Sequence, residues 1–122
     1  MSLSTATACR LGTEPDERIK LRFEGTVLAD AKPIEGAKVR INGTLFVWTL
    51  PVAEAVTDSN GKYVLEMESS CQRGTDLYSS PGNSLMLVAS LAGYEDLSSV
   101  NMNRTLYCTS DVQRVDFPLR KL

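Results

Sequence analysis

Histidine is absent from all 122 residues, and that gap removes more chemistry than any other feature of the composition. Imidazole is the usual general base near neutral pH and the commonest metal ligand. Ser-His-Asp and Cys-His arrangements are therefore excluded, as is every zinc or non-haem iron site that depends on imidazole. Carboxylate, Lys or Tyr chemistry stays formally open. Basic runs are missing too: 13 Lys and Arg stand against 15 Asp and Glu, a formal net charge of −2. A phosphate backbone needs a concentrated basic face, so nucleic acid is not an expected partner. No apolar stretch approaches the roughly 18–20 residues of a membrane span. The longest, Leu45 to Val52, is interrupted by Thr49 and Pro51, and no transmembrane segment is expected.

Cysteine is scarce. Cys9, Cys71 and Cys108 include no CxxC pair, which argues against a thiolate zinc site or a thioredoxin-type motif. Cys71 and Cys108 both lie in polar stretches flanking predicted strands, where a disulfide could staple two loops. Three unrelated free thiols are the alternative, and an odd count gives no parity argument. No charged segment followed by an apolar one marks a signal peptide in this chain. Ala6-Thr7-Ala8 supplies the small residues that end a lipoprotein signal, without the usual Leu three residues before the Cys. Cys9 is thus a candidate lipidation site.

What the sequence does contain is a period of two. Residues 1–18 are polar, with Gly12, Pro15 and alternating charges, and read as a flexible leader. Residues 19–122 form one domain, large enough to bury a core. In Lys20–Ala29, Leu21, Phe23, Val27 and Ala29 share one parity against Arg22, Glu24 and Thr26, with a gap at Gly25. Lys32-Pro33-Ile34-Glu35-Gly36 turns the chain. Ala37–Ile41 follows as a strand, ending at an Asn42-Gly43 turn. Leu45–Leu50 and Val52–Thr57 are strands hinged at Pro51, and Asp58-Ser59-Asn60-Gly61 turns into Lys62–Met67. Residues 69–83 read as a loop. Ser84–Leu91 reads as a central strand packed on both faces, Leu97–Met102 as a weaker one, and Val112–Leu119 closes the pattern. Seven or eight short strands and no helical stripe make the chain an all-β sandwich.

The order of these signals resembles the carboxypeptidase regulatory-like domain family, a transthyretin-like Greek-key β-sandwich. The matching residues run from Phe23-Glu24-Gly25-Thr26-Val27 through Lys32–Val39 to Thr57-Asp58-Ser59-Asn60-Gly61-Lys62-Tyr63. Ser90-Leu91-Ala92-Gly93-Tyr94 and Val115-Asp116-Phe117-Pro118-Leu119 also match. The resemblance implies a module that specifies topology and carries no active site. Two stretches exceed the family pattern: the apolar excursion between Ile41 and Thr57, and the 69–83 loop. Such excursions are where function is commonly grafted onto a scaffold.

Candidate partner-binding residues follow from these excursions. Phe46, Trp48 and Leu50 form either an exposed ridge for a sugar or protein, or one buried strand face. Arg73, Asp76 and Tyr78 are the chemistry-bearing residues of the second excursion. Asp58-x-Asn60-Gly61 shares the start of a calcium loop, but Ser69 stands where the twelfth-position Glu belongs. Glu54, Asp58, Glu66 and Glu68 read as the solvated face of a hairpin and not as a glycosidase pair. Asn42-Gly43-Thr44 and Asn103-Arg104-Thr105 fit the N-glycosylation triplet, which arises often by chance. Lys20 and Lys38 fall on outward parity or at a strand end, against the intramolecular isopeptide bond of Cna-B-like relatives.

The sequence therefore leads to a non-catalytic, extracytoplasmic module without cofactors. It is expected to bind protein or carbohydrate, or to act as a structural accessory to a larger surface or secreted system. One alternative is a transthyretin-like homo-oligomer binding a small ligand; another is a rigid spacer or adhesion repeat. The hydroxyisourate hydrolases of this fold use histidines and a characteristic C-terminal tetrapeptide, neither of which this sequence has.

Overall fold

Alternation is strictest in β1 (Glu17–Ala29), where Ile19, Leu21, Phe23, Val27 and Ala29 are buried. In the computed structural model, which describes residues 17–45, 48–78 and 84–122, β1 is the centre of the first sheet. Antiparallel partners are β2 (Lys32–Pro33) and β5 (Lys62–Cys71), while β8 (Val112–Arg114) and β9 (Phe117–Leu119) run parallel to it. A second, antiparallel sheet has the order β4 (Trp48–Val56), β3 (Lys38–Leu45), β6 (Ser84–Ser90), β7 (Leu97–Ser98). None of the described residues is helical, so no helix among them could cross a membrane.

The core joins the alternating faces of both sheets. Leu21, Phe23, Leu65 and Phe117 from the first share one buried cluster with Val39, Ile41, Leu87 and Ala89 from the second. Removing this apolar surface from water is the main term holding the sheets together. The result is an all-β, sandwich-like domain.

A single notch lets the closing strands reach β1. Gly25 is buried, and a Cβ there would lie 1.9 Å from the Val115 carbonyl oxygen. The Val115 N–H donates to the Glu24 carbonyl at 2.9 Å, and the Tyr63 hydroxyl donates to the Val115 carbonyl at 2.6 Å. Tyr63 is also the cross-strand partner of Gly25. The expected gap in the apolar parity is therefore filled by backbone.

Several expected boundaries move. β1 starts at Glu17, so the expected leader boundary at Arg18 falls inside a strand paired with Ser70. Asn42-Gly43 makes no turn: β3 continues to Leu45, because Gly43 pairs with Leu50 on one side and Leu85 on the other. Ladder bonds to two neighbours outweigh one local turn preference. Pro51 is no hinge but a residue inside β4. It sits on the outer strand of its sheet, beside a register shift that leaves Val52 unpaired, where a missing N–H is tolerated. β5 runs on to Cys71, so residues 69–71 are strand rather than loop. The Leu97–Met102 strand shortens to two residues, and the closing run splits at Val115-Asp116 into β8 and β9.

Candidate functional site

Carboxylates on the first sheet are engaged with cations. Glu66 pairs with Arg22 at 2.6 Å and Lys20 at 3.5 Å, and Glu68 pairs with Arg18 at 2.9 Å. The Arg22 hydrogen bond and the nearby Lys20 charge hold Glu66 below the usual carboxylate range. Asp58 closes its turn by accepting from the Lys62 and Asn60 N–H groups at 2.9 and 2.8 Å. Those two hydrogen bonds lower its carboxyl as well. Among the described residues no group of three His, Cys, Asp or Glu is placed to hold a metal ion.

The distinctive feature lies where β5 ends. Cys71 and Cys108 are joined by a disulfide with a Cα–Cα distance of 6.2 Å. Around it, residues 74–77 and 106–108 pair as a short antiparallel ribbon. Asp76 bridges Tyr107. The Leu77 N–H donates to Leu106 and the Cys108 N–H to Thr75, both at 2.9 Å, and the Gly74 N–H donates to Cys108 at 2.8 Å. Alternation sorts the side chains: Leu77, Leu106 and Cys108 are buried, whereas Tyr78 and Tyr107 are 45% and 48% exposed.

Local hydrogen bonds fix both tyrosine backbones. Asp76 Oδ1 accepts from the Tyr78 N–H at 2.9 Å, an Asx turn. The Gln113 amide accepts from the Tyr107 N–H at 2.8 Å and donates to the Tyr107 carbonyl at 2.9 Å, tying the ribbon to β8. Beside Gln113, Val112 is 52% exposed. Arg73 lies 3.3 Å from Glu17, closing the ribbon onto the start of β1. The site thus presents two exposed phenols whose backbones are anchored on a cross-linked ribbon, with Val112 exposed on the neighbouring β8.

Of the sequence-derived candidates, Arg73, Asp76 and Tyr78 come together here with Cys71 and Cys108. Tyr107, Val112 and Gln113 were missed. The only signal for Tyr107 is its position one residue from Cys108, which puts the two on opposite faces if the segment is extended. Phe46 and Cys9 lie outside the described residues. Trp48 and Leu50 are in β4, paired with Leu45 and Gly43.

These features define a two-sheet β domain with a disulfide-braced end. No family model and no curated protein matches the chain. Its fold is similar to chlorocatechol 1,2-dioxygenase from Pseudomonas putida, with 15% identity and a TM-score of 0.53 over 85% of this chain and 61% of that one. Catechol 1,2-dioxygenase from Acinetobacter is similar at 16% identity and a TM-score of 0.51, over 91% of this chain and 55% of that one. 3-Chlorocatechol 1,2-dioxygenase from Rhodococcus opacus gives 14% identity and a TM-score of 0.50, over 88% and 61%. This chain therefore spans under two thirds of each enzyme's length, and the likeness is one of fold.

Proposed function

We propose that this chain is a non-catalytic, extracytoplasmic β-sandwich module that docks a protein partner through the ribbon bearing Tyr78 and Tyr107. The observation carrying this reading is the pair of exposed phenols held on a disulfide-linked ribbon. Tyrosine combines a large apolar face with a polar tip and is enriched at interface hot spots. A base already ordered by hydrogen bonds and a cross-link loses little entropy on binding. Persistent disulfides belong to oxidising compartments, which supports the extracytoplasmic placement.

The non-catalytic reading is supported by the missing histidine and by Glu66, Glu68 and Asp58 being engaged in ion pairs or in a turn. Dioxygenase activity of the fold neighbours is not carried over, because likeness at this identity concerns the fold alone. The carboxypeptidase regulatory-like, Greek-key assignment is supported by the turn residues around Gly36, Asp58 and Gly93. The test is a double substitution, Tyr78→Ala with Tyr107→Ala, compared with Val64→Ala on the outer face of β5. Loss of partner binding only in the double variant, with unchanged thermal unfolding, is the expected result. Equal binding by both variants overturns the assignment.

A further inference from the structure

Toward the other end of β1 from the ribbon, an open groove of about 540 Å³ is bounded by Gly36, Lys38, Ser90, Gly93, Tyr94 and Asp96. We propose that this groove is a saccharide subsite, taking one or two sugar units of a neutral glycan. The proposal goes beyond the docking reading and does not rest on it.

The groove's charges argue for a neutral polyol. Asp96 offers an acceptor for hydroxyl protons, Lys38 a donor for ring and hydroxyl oxygens, and Ser90 both. Neither Lys38 nor Asp96 has an ion-pair partner among the described residues, in contrast to the compensated ladder on the first sheet. A charged ligand of either sign would gain from one of these residues and lose to the other. A ligand carrying many hydroxyl groups satisfies both without repulsion.

Tyr94 packs against the core and also lines the groove. The Tyr94 hydroxyl donates to Asp30 Oδ2 at 2.9 Å, so its ring is held without a ligand. Its backbone is fixed too: Tyr94 bridges Lys121, and the Leu122 N–H donates to the Gly93 carbonyl at 3.0 Å. Such a ring offers an apolar face to the C–H side of a pyranose while the polar groups take its hydroxyls. At Gly36 and Gly93 no atom lies within 4 Å of where a Cβ would be, leaving their backbone open to a ligand's approach.

The test is a titration of the labelled chain with maltose, cellobiose, lactose and chitobiose, followed by backbone amide shifts. At least one sugar should perturb Gly36, Ser90, Gly93 and Tyr94 and leave the ribbon amides in place. Asp96→Asn and Lys38→Met, both at exposed positions, should each weaken that binding about tenfold or more with unchanged thermal unfolding. Shifts confined to Tyr78 and Tyr107, or affinity unaltered in both variants, overturn the groove while leaving the docking reading standing. An absence of shifts with every sugar overturns it as well. Loss of partner binding in the tyrosine double variant is scored separately, so the two readings fail independently.

Discussion

At the scale of single residues, the closure of the fold depends on Tyr63 and Gly25. Tyr63 is 2% exposed and donates to the Val115 carbonyl, between β8 and β9. Tyr63→Phe keeps the ring and removes that buried hydrogen bond, so unfolding free energy should drop by about 1–3 kcal/mol in denaturant titrations. Burial, reinforced by the Asp116 charge, pushes the phenol above its ordinary value of 10.0. The sign of the pH effect follows. Below about pH 10 the phenol is protonated in folded and unfolded chains and its contribution is complete. Above that the unfolded chain releases a proton the folded chain retains, so stability falls as pH rises. Wild type should lose stability more steeply than Tyr63→Phe between pH 9 and 11; parallel curves would refute the linkage. At Gly25 a methyl group collides with backbone, not with a flexible side chain. Gly25→Ala must move the β8–β9 crossing and should cost at least about 3 kcal/mol, visible as a collapse of the thermal transition.

At the scale of elements, the sequence made the strands legible where one face is buried and the other wet. β1 and β5 follow their alternation because each residue's partner across the ladder has the same parity. Turn chemistry was less reliable, since it is local and the ladder is not. Asn42-Gly43 carries the strongest hairpin signal in the chain, yet two neighbouring strands claim it as a central strand. After β1 the converse holds, a tight turn forming without the usual turn residues. Asp30 and Ala31 have φ values of 55° and 65° and join the paired residues Ala29 and Lys32, but Asp-Ala is not a favoured pair for that geometry. Ala31 is held in the left-handed region, which costs an L-residue about 1–2 kcal/mol. Ala31→Gly should therefore stabilise the domain by about 0.5–1 kcal/mol, after allowing for the more flexible unfolded chain. A lower unfolding midpoint in that variant would mean the turn is not strained. The candidate site was half legible for the same reason: Tyr78 could be read from composition, but Tyr107 joins it only through pairing with a segment some 30 residues away.

At the scale of the whole molecule, the disulfide links the last residue of β5 to the segment that leads into β8, so it braces one end of the first sheet. Cys71 and Cys108 are 5% and 0% exposed, and they close a loop with a sequence separation of 37. Chain-entropy arguments assign a loop of that length roughly 4 kcal/mol. The double variant Cys71→Ser, Cys108→Ser should accordingly unfold about 15 °C lower by calorimetry, taking about 4 °C per kcal/mol for a domain of this size. Two ends of one sandwich should then respond differently. At 20 °C the variant's ribbon amides around Thr75 and Tyr107 should exchange with solvent faster, because they have lost their anchor to β5. Gly93 and Tyr94 lie beyond the far end of β1 and are held by the C-terminal residues, so their exchange should change little. If protection falls equally at both ends, the cross-link stabilises the domain as one cooperative unit, and the ribbon is no separately braced platform for a partner.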